Sequence, residues 1–80
     1  MTDLTPLSNL QPNEKAVVSG FSIGCTPVYR QRLLTMGLLP NTVVELLRVA
    51  PLGDPIELMV RQSRLILRKN EASSILVERL

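Results

Sequence analysis

Apolar residues along this chain fall into short runs separated by turn-forming residues, and the runs differ in period. Alternation of period two, with many Val, Ile and Leu, predicts strands at Lys15–Gly20 (KAVVSG), 42–50 (TVVELLRVA), Ile56–Val60, Leu65–Arg68 and Ile75–Glu78. One segment has a helical period instead. Tyr29, Leu33 and Met36 recur at i, i+4 and i+7, behind a Thr26 hydroxyl cap with Pro27 at the first helical position. Gly37 and Pro40 stop it, so the helix is expected over Pro27–Met36 with Leu34 on its solvent side. Asn70–Ser74 reads as a single helical turn capped by Asn70.

The turns carry their own chemistry. Gln11-Pro12-Asn13-Glu14 and Leu39-Pro40-Asn41-Thr42 both place Pro where φ near −65° is needed and Asn where φ turns positive. Pro51-Leu52-Gly53-Asp54-Pro55 makes a tight connection, and Arg61–Arg64 turns the next hairpin. Five strands result, three of them in a meander (42–50, 55–61, 64–69), with helices only at connections. The fold class is mainly β, and a short all-β chain protects its edges by closing on itself into a small, partly open barrel. A single domain over 1–80 accounts for the chain.

With Val44, Leu46, Ile56, Leu58, Val60, Leu65 and Leu67 inward, the opposite face carries Val43, Leu47, Val49, Met59 and Ile66 beside Glu45 and Glu57. That outer face holds more aliphatic surface than solvation requires. Cover by the helix, a register-flipping bulge, self-association and a partner protein all account for it.

Composition narrows the function. The 80 residues include no His, no Trp and one Cys, so an internal disulfide, a His-based triad and a His-rich metal site are excluded. Gly20, Gly24, Gly37 and Gly53 lie too far apart for a phosphate loop, and the carboxylates are scattered. Neither an enzyme, nor a bound cofactor, nor a resident metal is expected. Cys25 reads as a small buried hydrophobe. No apolar run is long enough to span a membrane, and Met1–Pro6 lacks the basic start of a signal peptide, so a cytoplasmic location is expected. Net charge is +2, with nine basic residues spread rather than blocked. A small basic barrel that binds nucleic acid is the rival class, opposed by the near absence of stacking aromatics and by the arginines alternating with glutamates.

Three ordered segments then point to one family. Arg32-Leu33-Leu34-Thr35-Met36-Gly37-Leu38-Leu39-Pro40-Asn41-Thr42, Ala50-Pro51-Leu52-Gly53-Asp54-Pro55-Ile56, and Leu67-Arg68-Lys69-Asn70-Glu71-Ala72 with Ile75 and Val77 resemble FeoA proteins of bacterial ferrous iron transport. The similarity runs from about Leu7 to Val77. It implies an SH3-like β-barrel of about five strands, and a working partnership with FeoB, the membrane ferrous-iron permease with a cytosolic GTP-binding domain. The membrane would then be met only through FeoB. Asn13, Asn41 and Gln62 stand where the family has turn glycines; Asn tolerates positive φ, whereas Gln62 implies a different hairpin turn. An exposed apolar side chain on a stiff support beside a cation suits an interface anchor, so docking is expected at Arg30, Leu34 and Leu52. The outward strand residues Leu47, Met59 and Ile66 form the second candidate surface. The arginines of the helix, Arg30 and Arg32, also admit a phosphoryl-neutralising role toward a GTPase, although covering the helix edges with their stems explains both.

Overall fold

In the computed structural model, which describes residues 3–80, both Pro-Asn turns are built as the sequence implies: Asn13 has φ 74° and Asn41 φ 71°. The later hairpin uses positive φ at both central residues, Arg61 (50°) and Gln62 (69°). This is the type I′ geometry that matches strand twist, and it is reached without glycine.

Among the described residues six strands form one antiparallel sheet. They are β1 (Leu4–Pro6), β2 (Lys15–Phe21), β3 (Val43–Val49), β4 (Ile56–Val60), β5 (Ser63–Leu67) and β6 (Ile75–Arg79), in spatial order β1-β6-β2-β3-β4-β5. A helix, α1 (Pro27–Thr35), joins β2 to β3, a one-turn helix, α2 (Lys69–Ala72), joins β5 to β6, and a 3-10 turn (Leu7–Asn9) follows β1.

Two expectations are corrected. A sixth strand, β1, precedes the five, and the sheet keeps two edges instead of closing, so a barrel describes it only approximately. Strand β1 escapes a pattern search because it has three residues and ends in Pro6, which belongs only on an edge. The Met1-Thr2 start of the N-terminal reading lies outside the described residues.

The core is aliphatic. Leu7, Val18, Leu33, Leu38, Val44, Leu58, Ile75 and Val77 are sealed from solvent. The inward residues of β4 alternate as the period-two pattern requires, with Ile56, Leu58 and Val60 buried and Glu57 and Met59 half-buried. A bulge in β3 shifts the pairing from Leu46↔Leu58 to Arg48↔Glu57, leaving Leu47 as the extra residue. A second irregularity lies in β2 between Val18 and Gly20.

Helix α1 starts on its cap, where Thr26 Oγ1 accepts from the Tyr29 N–H at 3.3 Å. It ends one residue earlier than the apolar period suggests, with Met36 as C-cap. Gly37 then takes φ 97°. Its N–H donates to the Leu34 carbonyl at 3.0 Å, and the Leu38 N–H donates to that of Leu33 at 3.3 Å. This double closure joins Leu33 to Leu38, both fully buried, and fixes the exit angle of the chain toward β3. Only Leu33 of α1 is buried, with Tyr29 and Met36 partly packed against the core.

The second short helix is capped differently from the expectation at Asn70. Arg68 is the N-cap, and its N–H is received by Glu71 Oε1 at 2.9 Å, which is the reach-back half of a capping box. An Asn at the N-cap is unnecessary when the N3 carboxylate satisfies that N–H.

A Cβ at Gly37 meets only Val60 Cγ1, at 3.9 Å, so space is available and the cost is conformational. Gly37→Ala should therefore lower unfolding free energy by about 1–2 kcal/mol, and Gly37→Asn by less. Urea denaturation of the two variants checks the order.

Candidate interaction surface

Three separate parts of the chain are tied to α2 and the turn that follows it. Glu71, whose side chain is 8% exposed, presents Oε2 to Arg32 Nη1 of α1 at 3.2 Å while Oε1 caps α2. Asp54 Oδ1, in the β3–β4 loop, accepts the Lys69 N–H at 2.9 Å. The Ser74 carbonyl accepts the Ser22 N–H of the β2–α1 loop at 2.9 Å. One end of the fold is thereby assembled from α1, α2 and two loops, each held by a polar contact from an element that packs little on its own.

Apolar side chains stand out at this end. Leu52, at the tip of the Pro-braced loop, is 95% exposed, Ile23 is fully exposed, and Val28 in the first turn of α1 is 83% exposed. Leu52 stands as expected. Ile23 and Val28 were not among the expected residues, though Val28 lies off the Tyr29–Leu33–Met36 stripe and its exposure was readable from that spacing. Arg30 is exposed on α1 and makes no ion pair among the described residues, whereas Arg32 is committed to Glu71.

Leu34 corrects the expectation of a solvent-facing residue: it is half-buried. An ideal helical wheel puts it opposite the core stripe, but a short helix lying on a twisted sheet covers more than one narrow stripe of its surface.

The expected residues of the outer sheet face separate. Met59 lines a hollow of about 430 Å³ with Lys15, Val43, Glu45 and Arg61. Ile66, 66% exposed, borders another of about 420 Å³ with Val49, Pro51, Pro55 and Glu57. Leu47 is half-buried at the bulge. Glu57 carries the electrostatics of this face, bridging Arg48 Nε at 3.3 Å and Arg64 Nη1 at 3.5 Å. These are largely solvated pairs, and exposed pairs contribute at most about 1 kcal/mol.

Chemically active groups do not converge. Among the described residues no three of Cys, Asp and Glu come together as metal ligands, and no helix is long and apolar enough to cross a membrane. Cys25 packs in the core cluster as a free thiol. Thr42 Oγ1 is buried without a hydrogen-bond partner among the described residues. The Tyr29 pKa is raised, by burial first and then by the nearby Glu71 carboxylate. This end of the molecule can present shape, aliphatic tips and positive charge.

Six antiparallel strands with one helix inserted between the second and third define a small SH3-like domain. The FeoA domain model matches residues 5–79, and the chain belongs to the FeoA family. It is similar to the solution structure of a FeoA-like protein from Clostridium acetobutylicum, with 36% identity, a TM-score of 0.89, and coverage of 100% of this chain and 91% of that one. It is likewise similar to the crystal structure of an iron uptake regulatory protein (FeoA), with 29% identity, a TM-score of 0.84, and coverage of 98% and 99%. Likeness to the IdeR protein of T. acidophilum, at 19% identity, TM-score 0.85 and 36% of that chain, extends to the fold alone.

The Tyr29 shift sets an alkaline limit. The unfolded chain releases this proton at the ordinary tyrosine value of 10.0, the native chain only at higher pH. Its contribution is therefore complete below about pH 10 and is lost as pH rises through the raised native value. Tyr29→Phe should flatten the fall in stability over that window, as measured by urea midpoints across the alkaline range.

Proposed function

We propose that this chain is a non-enzymatic accessory protein of bacterial ferrous iron uptake that acts by contact with the cytosolic GTP-binding region of a FeoB-type permease. The observation that carries the reading is the FeoA match across residues 5–79, together with full-length likeness to an iron uptake regulatory protein. The site chemistry supports contact over metal delivery, since the sequence has no His and its one Cys lies in the apolar core. The chain then works at the cytosolic face of the membrane, reaching it through the permease.

Leu52 is the first anchor. Its loop is braced by Pro51 and Pro55 and tied to α2 through Asp54, so its backbone is ordered before binding. A side chain presented this way gives up little further freedom on docking, and its apolar area is left to favour the complex. Arg30 supplies an uncommitted cation from α1 for an acidic partner surface.

Leu52→Glu should leave the melting temperature unchanged, because the side chain touches little. It should weaken capture of a FeoB cytosolic domain by about tenfold or more and impair ferrous iron uptake. Leu34→Glu is a poorer probe, since a half-buried Leu contributes to folding as well. Unchanged capture and uptake with Leu52→Glu would place the contact elsewhere. The purified chain should also bind ferrous ion only weakly and no fluorescent GTP analogue. A one-to-one ferrous site abolished by Cys25→Ser, or saturable nucleotide binding without the partner, contradicts the reading.

A further inference from the structure

The sheet keeps two edges, and they are not equivalent. Strand β1 has three residues, and Pro6 has no N–H to offer, so that edge is poorly suited to pairing. Strand β5, Ser63–Leu67, has five residues, contains no proline and pairs with β4 in an unbroken register. It lacks most of the devices that blunt natural edges, such as bulges, prolines or a covering element.

The type I′ hairpin determines which backbone groups this edge presents. In a two-residue hairpin the closing pair, here Val60↔Ser63, is hydrogen-bonded, and bonded pairs then alternate along the ladder. Ser63, Leu65 and Leu67 therefore turn their N–H and C=O groups toward β4. Arg64 and Ile66 turn theirs outward, and neither forms a backbone hydrogen bond to any other element among the described residues. Their side chains are both exposed, on the outer face of the sheet, and Leu65 is half-buried on the inner face.

We propose that β5 pairs edge to edge with β5 of a second copy, antiparallel and with the two-fold axis at Leu65. This inference is independent of the permease contact. In that register Arg64 lies opposite Ile66 of the second copy, and every outward N–H and C=O of both residues finds a partner. Leu65 meets Leu65 of the second copy as a non-hydrogen-bonded pair, the closer of the two spacings. A strand of the wrong sequence would satisfy the backbone equally; the side chains are what favour a second copy. The row across the joined sheets reads Arg48, Glu57, Ile66, then Arg64 of the second copy, because Glu57 pairs with Ile66 and Arg48 with Glu57. The incoming Arg64 stem covers the exposed Ile66, while its guanidinium stays on the Glu57 of its own copy, as Arg64 does here at 3.5 Å. A net slip of one residue sets Leu65 against Ile66 and loses the backbone match, and moving the axis to Ile66 keeps that match but loses this cover.

Charge exchange tests the pairing. Sedimentation equilibrium of the full chain should show a monomer–dimer equilibrium. Amide hydrogen exchange at Arg64 and Ile66 should slow as concentration rises. Ile66→Lys, at an exposed position, should keep the melting temperature but put like charges opposite each other and weaken dimerisation by about tenfold or more. Arg64→Glu combined with Ile66→Lys makes each cross-dimer pair opposite in sign and should restore the dimer to within about threefold of the parent. Rescue of this kind does not arise from a merely structural role. A monomer at every concentration reached overturns the proposal, as does a dimer indifferent to Ile66→Lys or one the double variant fails to restore. If the Arg64 and Ile66 amides become protected only when a permease cytosolic domain is added, the edge receives a foreign strand and self-pairing is wrong.

Discussion

A single buried carboxylate organises the helical end of this protein. Glu71 caps the turn of α2 and pairs with Arg32, so the same two oxygens that complete one helix also fix the position of another. A carboxylate taken out of water is costly unless its lone pairs are used, and here both oxygens are engaged. This contact adds direction to the docking of α1, whose apolar hold is the fully buried Leu33 with Tyr29 and Met36 packed beside it. The polar ties of Asp54 and Ser74 extend the same junction to the neighbouring loops.

This arrangement suits a chain too short for a large core. The sheet takes nearly all the aliphatic side chains that can be sealed, and little is left to fasten the connections. The Glu71 carboxylate, the Lys69 N–H and the Ser74 carbonyl do that fastening in directed fashion. They leave Leu52, Ile23 and Val28 uncovered.

Much of the fold was legible in the sequence because its signals are local. Thr26-Pro27 and Gly37 bound α1, and Asn13 and Asn41 mark the turns through conformations that few other residues tolerate. The period-two pattern identified the buried residues of β4. What escaped depends on pairing at a distance. Strand β1 exists because β6 offers it an edge, and nothing within Leu4–Pro6 announces that. The open sheet is likewise a matter of how far strands curl, which alternation does not encode. Of the expected surface residues, Arg30, Leu52 and Ile66 are exposed, while Leu34, Leu47 and Met59 are half-buried. The helical wheel failed at Leu34 because it treats a core as a line, and strict alternation fails at Leu47 because the bulge inserts a residue. Glu71 was readable in principle as an N3 carboxylate, but its bond to Arg32 joins residues far apart in the chain.

The near absence of aromatic residues gives the molecule an unusual optical character. With no Trp, Tyr29 is its principal intrinsic fluorophore, and it sits beside Glu71 at the junction of the two helices. Its emission therefore monitors the helical end, while far-ultraviolet dichroism is dominated by a sheet whose strands lie elsewhere. Unfolding curves from the two signals will superimpose only if the end and the sheet melt together. One tyrosine thus makes the cooperativity of the whole fold observable without a label.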